Sequence, residues 1–148
     1  MQRVPQLVSL SHDHHHALVL ARRCRVGATA GASGATAWAE VREAFPSRLD
    51  PHFRIEEAHL IPALEAAGET VMVERLREEH AALRALAAEE SAAAATVEYF
   101  GTLLEAHVRF EEREVFELAQ RRLPAAILDA IAEACRNTPR EAPACRAR

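Results

Sequence analysis

His52-Phe-Arg-Ile-Glu56-Glu57 and His107-Val-Arg-Phe-Glu111-Glu112 are two copies of one pattern, the second beginning 55 positions after the first. Each places a carboxylate four residues after an imidazole. On an α-helix that spacing is an advance of ~6 Å with ~40° of rotation, so each His and its Glu stand one above the other on the same face. One metal ion, or two adjacent ones, can touch both. The correspondence extends beyond the donors: Arg54 matches Arg109, Ile55 matches Phe110, and Leu60-Ile61 matches Val115-Phe116. Two helices repeat one task. Two more histidines interrupt apolar stripes of helical period, His14 among Leu7, Leu10, Leu18 and Ala21, and His80 among Val73, Leu76, Leu83 and Ala87.

The candidate metal ligands are therefore His14, His52, Glu56, His80, His107 and Glu111. A single His on an apolar face is ordinarily a hydrogen-bonded core residue. Burying four of them with two carboxylates in one layer is different, because an ionised group stranded away from water costs several kcal/mol. A cation removes that cost. His12, His15 and His16 rotate away from the His14 stripe and are expected in solvent, as are Glu57 and Glu112, which point more than a quarter turn from their histidines. His59 and Glu114 occupy equivalent places in the two repeats, on the ligand face one turn further on, where supporting the ligands or replacing one is the lesser reading beside an ordinary surface role. Imidazole and carboxylate with no thiolate nearby suit iron, manganese or zinc better than copper(I) or an iron–sulfur cluster.

Helices must carry these residues. Periodicity predicts a first helix over 9–26, then a connector of Gly and small polar residues over 27–36. A second helix is expected over 37–67, ended by Gly68 and kinked or broken between Pro46 and Pro51. A third runs from residue 69 or 70 to about 90. A fourth covers 94–122, presenting Phe100, Leu103, His107, Glu111, Glu114 and Leu118 along one side before Leu123-Pro124 ends it. A short fifth is expected over 125–136, with Pro124 beside its first turn. The expectation is an all-α fold, an up-down-up-down four-helix bundle with a short C-terminal fifth helix over 1–136, followed by a disordered tail over 137–148.

Other classes are disfavoured by composition. The 148 residues suffice for one domain with a proper core, and the chain is 49% hydrophobic and 27% charged. A net charge of -4 gives no electrostatic case for nucleic acid or an anionic membrane. No stretch approaches the ~20 apolar residues of a membrane span, and the N-terminus lacks a secretory signal pattern, so the cytoplasm is the expected compartment. Cys24, Cys135 and Cys145 are odd in number and lack paired metal spacing, which predicts free thiols. A ferritin-like di-iron site would need two Glu-x-x-His motifs. Glu56-x-x-His59 is present once, and helix four has Leu104 where its partner Glu would stand.

Over residues 7 to 122 the chain resembles the hemerythrin-like family, the HHE cation-binding domains. The resemblance lies in Asp13-His14-His15, His52-Phe-Arg-Ile-Glu56-Glu57, Glu79-His80-Ala-Ala-Leu83 and His107-Val-Arg-Phe-Glu111-Glu112. It implies a four-helix bundle around two iron ions with an oxo or hydroxo bridge, able to bind or react with dioxygen. His14 and His52 would bind one iron, His80 and His107 the other, and Glu56 and Glu111 would bridge. Two departures bear on function. Oxygen carriers have a second His one turn before the helix-three ligand, where Leu76 stands here, and an Asp five residues after the helix-four His, where Glu111 comes at four. The more open centre points away from reversible oxygen carriage and toward oxygen, redox or nitric oxide sensing or response, or iron homeostasis. The ligand would be dioxygen, another small diatomic or a peroxide. The alternative is a di-iron oxidase or peroxidase-like enzyme; enzymatic activity is not required by the first reading.

Overall fold

The computed structural model describes residues 2–28 and 33–140. Among them are five continuous helices and no strand: α1 (Pro5–Gly27), α2 (33–66), α3 (Thr70–Ala87), α4 (94–122) and α5 (Ala125–Asn137). Pro5 opens α1, where its missing N–H costs nothing. α2 begins at Ser33, so its first turn takes part of the expected connector; 29–32 lie outside the described residues. Gly68 ends α2 at φ 87°, with its own N–H bonded to the Glu65 carbonyl and that of Glu69 to the Leu64 carbonyl. Those bonds satisfy carbonyls that the helix end leaves free, and the left-handed backbone explains why glycine stands there.

The expected kink or break between Pro46 and Pro51 is instead a widened turn inside an unbroken helix. The Asp50 N–H reaches back five residues to the Phe45 carbonyl, and this wider turn, 45–49, absorbs the proline ring that an ordinary turn would exclude. The same device recurs at 56–60, where Ile61 N–H bonds to the Glu56 carbonyl just before Pro62. It recurs again at 111–115, where Phe116 N–H bonds to the Glu111 carbonyl and no proline follows. The two later turns start at the paired glutamates, so the repeat in the sequence is also a repeat of backbone shape.

Side-chain pairs tie the helices in a ring. Arg23–Glu40 joins α1 to α2, Arg77–Glu65 joins α2 to α3, Arg122–Glu69 joins α4 to the residue just before α3, and Arg3–Glu112 joins the segment just before α1 to α4. Gly101 permits the close approach of α4 to α1: a β-carbon there would lie 2.6 Å from the Ala21 carbonyl oxygen. The apolar stripes pack as read except that Ala87 is half-buried, and Leu18, Leu103 and Leu118 are half-buried beside the fully covered Ala17, Leu104 and Ala119.

The core is divided. One apolar cluster gathers Leu7, Leu10, Leu60, Leu64, Leu76 and Phe116; the other gathers Leu20, Trp38, Phe53, Leu83, Phe100 and Leu104. Each such side chain contributes roughly 1.5–3 kcal/mol on burial, which is the driving force that allows a polar layer to be enclosed. α5 covers the first cluster with Leu128, Ile131 and Cys135. Beyond α5, Arg140 folds back onto Ser9 and Asp13; 141–148, the rest of the expected tail, lie outside the described residues. Cys24 and Cys135 are free and buried, while Cys145 is among the residues not described.

Candidate metal centre

His14 from α1, His52 and Glu56 from α2, His80 from α3, and His107 and Glu111 from α4 converge in the layer bounded by the two apolar clusters. All six are at most 4% exposed. Their donor atoms form two groups, His14, His52, Glu56, Glu111 and Glu56, His80, His107, Glu111, with every atom in a group within 4.8 Å of the others. Both glutamates belong to both groups. Glu56 turns Oε1 to His52 Nε2 at 2.9 Å and Oε2 to His80 Nε2 at 3.2 Å. Glu111 turns Oε2 to His14 Nε2 at 3.6 Å and Oε1 to His107 Nε2. Each carboxylate thus divides its two oxygens between two pairs of imidazoles.

The other ring nitrogens are all engaged. Nδ1 of His52 donates to Asp13 on α1 at 2.9 Å, and Nδ1 of His80 to Glu57 on α2 at 3.1 Å. Nδ1 of His107 donates to Glu79 on α3 at 3.0 Å, and Nδ1 of His14 to Glu112 on α4 at 2.6 Å. Each helix therefore supplies the acid that orients an imidazole of its neighbour, in a closed circuit of four. With the proton held on Nδ1, the Nε2 lone pair of each neutral ring is directed into the centre, as metal-binding histidines require. Glu57 and Glu112 were expected in solvent; they are half-buried, and they orient the imidazoles of His80 and His14. The rotation that takes them off their own histidine's face brings them to the seam with the next helix.

Each orienting acid has its own guanidinium. Arg84 grips Glu57 with two bonds, at 2.7 and 2.8 Å, Arg3 holds Glu112 at 2.7 Å, Arg140 holds Asp13 at 2.5 Å, and Arg75 holds Glu79 at 3.3 Å. The arginines offset four negative charges, so Glu56 and Glu111 remain as the uncompensated pair facing the centre. Without a cation, protons take that place. Burial would depress the His107 imidazole, but Glu111 first, with Glu79, outweighs it and pushes the ring up to about 10. His52 is raised well above its ordinary value against burial, chiefly by Glu56 and Asp13, and His14 is raised by Glu111 and Glu112. Glu111 moves the opposite way, held far below the usual carboxylate range by His107 despite complete burial.

Among the described residues, ten buried side-chain nitrogen or oxygen atoms lack a hydrogen-bond partner, and eight of them are the four Nε2 and the four oxygens of Glu56 and Glu111. With the four rings neutral and their protons on Nδ1, leaving so many stranded would cost on the order of 1–3 kcal/mol apiece. A cation held in each group by two nitrogens and two oxygens would satisfy all eight. Residues 7–119 match the hemerythrin HHE cation binding domain. The chain belongs to that family. No curated protein and no solved structure matches it.

Other expectations for this HHE domain turn out differently. His59 and Glu114 are outside both donor groups; Glu114 is exposed, and His59 lines a surface groove with Ala134 and Pro139. The widened turns are the reason. A turn closed over five residues holds one residue more than an ordinary turn, so Leu60-Ile61 and Val115-Phe116 rotate inward where helical spacing placed His59 and Glu114. His12 and His15 are exposed and His16 is half-buried. Asp13, Glu79 and the four arginines carry no role in the sequence reading above. A signal for the acids exists, since each helix sets one directly beside a donor: Asp13-His14, Glu56-Glu57, Glu79-His80 and Glu111-Glu112.

Proposed function

We propose that this HHE domain is a non-haem di-iron binding protein, an up-down-up-down bundle in which His14 and His52 hold one iron, His80 and His107 the other, and Glu56 and Glu111 bridge them. The eight stranded donor atoms, sorted into two groups that share both carboxylates, carry this reading. The order of the inter-helix pairs supports the bundle, since rising positions in each helix meet falling positions in the next. Such a pair of irons supplies reversible electron transfer and binding of a small oxidant. The chain's own residues orient the donors through Nδ1, cancel the charge of the orienting acids, and exclude water with two apolar layers.

Size and lining support a small ligand. A cavity of about 10 Å³ reaches His14, His52 and His107 between Ala17, Leu49, Phe53, Leu104 and Val108. That is the space of about one water-sized molecule, and its mainly apolar wall suits dioxygen, another diatomic or a peroxide. We place the protein in the cytoplasm, in the sensing of or response to oxygen, redox state or nitric oxide, or in iron homeostasis; buried free thiols support a reducing compartment.

A second reading, a di-iron oxidase or peroxidase-like enzyme, is favoured by Leu76, which is buried one turn before His80 and adds no donor there. Protein purified without chelator or added metal is expected to carry two irons per chain, with near-ultraviolet absorption under air that is lost on reduction. Absence of stoichiometric metal would end the proposal. Sustained peroxide consumption that requires Glu56 and Glu111 selects the enzymatic reading, whereas a stable oxidised spectrum without turnover selects sensing or storage.

A further inference from the structure

Arg140 lies beyond the region matched by the family, three residues after α5, yet its guanidinium is enclosed against the metal centre's outer layer. Its Nε donates to Asp13 Oδ2 at 2.5 Å, and the same oxygen accepts the Nδ1–H of His52 at 2.9 Å. Nη1 donates to the carbonyls of Cys135 at 3.0 Å and Thr138 at 2.8 Å, and Nη2 donates to the Ser9 hydroxyl on α1. All three guanidinium nitrogens are therefore committed. Both Arg140 and Asp13 side chains are 7% exposed.

The consequences differ between the two imidazole pairs. Glu57 and Glu79, which orient His80 and His107, take their arginines from α3, one turn from the acid or ligand concerned. Asp13 takes its arginine from a segment held to the bundle by α5, whose Leu128, Ile131 and Cys135 pack on the first apolar cluster. A carboxylate this buried turns away when its charge partner is removed, and that movement frees the His52 ring. The planar fork fixes the carboxylate's direction as well as its charge, which a lysine would not do.

We propose that Arg140 is a positioning residue that acts through Asp13 on His52, so that the His14–His52 metal position depends on the C-terminal segment and the His80–His107 position does not. The inference rests on the di-iron reading above. Its test is an anaerobic titration of metal-free protein with ferrous ion, alongside the nitrogen resonances of the histidine rings. Wild-type protein takes up two ions. Arg140→Ala keeps one at wild-type affinity and binds the other about 10–100-fold more weakly, the usual cost of losing a ligand's outer partner. Asp13→Asn reproduces the pattern, and Arg140→Lys recovers part of the loss. In metal-free Arg140→Ala the His52 resonances move while those of His80 and His107 stay, with a cooperative melting transition retained.

Two ions at wild-type affinity with unmoved His52 resonances would overturn the proposal. Parallel weakening of both ions would overturn it as well, since it signals general loosening. Failure of the wild-type protein to take up iron strikes the metal reading instead, and the His52 resonances of Arg140→Ala then still decide whether Arg140 positions that ring.

Discussion

His80 and His107 are oriented by acids whose guanidinium partners, Arg84 and Arg75, both stand on α3, whereas His14 and His52 are oriented by acids paired with Arg3 and Arg140, from the segments before α1 and after α5. The inner atoms of the two halves are alike: two Nε2 and one oxygen from each shared glutamate. What differs is the distance along the chain over which each half is secured. Arg75 lies four residues before Glu79 on α3, and Arg84 of α3 reaches Glu57, 27 positions away on the adjacent α2, so this half is secured within neighbouring helices. The other half is complete once residues near both ends have docked. Equal donor sets can therefore have unequal dependence on the rest of the fold.

Removing a shared donor is the strongest way to abolish the contrast. Glu111→Gln is expected to lose both ions and most of the metal-induced rise in melting temperature, because one oxygen disappears as an anionic donor from each half. A variant that still binds two ions would show that the halves do not share this bridge. His80→Ala should act on one half, leaving a single ion at His14 and His52; equal loss of both ions, measured by elemental analysis, would mean the halves cannot be separated.

The metal-free protein sharpens the comparison through pH. His107, with its folded pKa raised from 6.5 to about 10, contributes stability that is fully present below about 6.5 and is lost as pH rises through about 10. Glu112, with its pKa lowered from 4.5 to about 2 by His14, Ser11 and Arg3 against the opposing effect of burial, contributes stability present above 4.5 and lost as pH falls through about 2. Metal-free protein should therefore melt at a lower temperature at alkaline pH than near neutrality. Iron-loaded protein should not show that alkaline decline, since the metal takes the place of the protons at Nε2. An unchanged alkaline slope after loading would contradict the assignment of His107 as a ligand. The smallest effect is expected from Arg75→Ala. Its side chain is 46% exposed, and such a pair with Glu79 is worth about 0–1 kcal/mol, so ion binding at His80 and His107 should barely change in the same ferrous titration.

Much of the site was legible because an α-helix turns side-chain spacing into direction. The His52–Glu56 and His107–Glu111 spacing, and the imidazoles at 14 and 80 within apolar stripes, placed six inward donors on four separate helices. The same rule misplaced His59 and Glu114, because it assumes a uniform turn and the backbone widens at Glu56 and Glu111. Pro62 offers a local reason for the first widened turn, but nothing in 111–116 offers one for the second. Glu57 and Glu112 were missed for another reason. Their role depends on which helix lies beside them, and a single helix does not state its neighbour.

The chain's pattern of apolar, acidic and imidazole residues by itself determined that helices form and which donors they turn inward, since both follow from local geometry and the cost of burying charge. Tertiary structure decided which carboxylate oxygen serves which imidazole pair, the circuit of orienting acids, and the arrival of Arg3 and Arg140 from the segments before α1 and after α5. Those features exist only between elements, over separations where no periodicity along the chain carries the information.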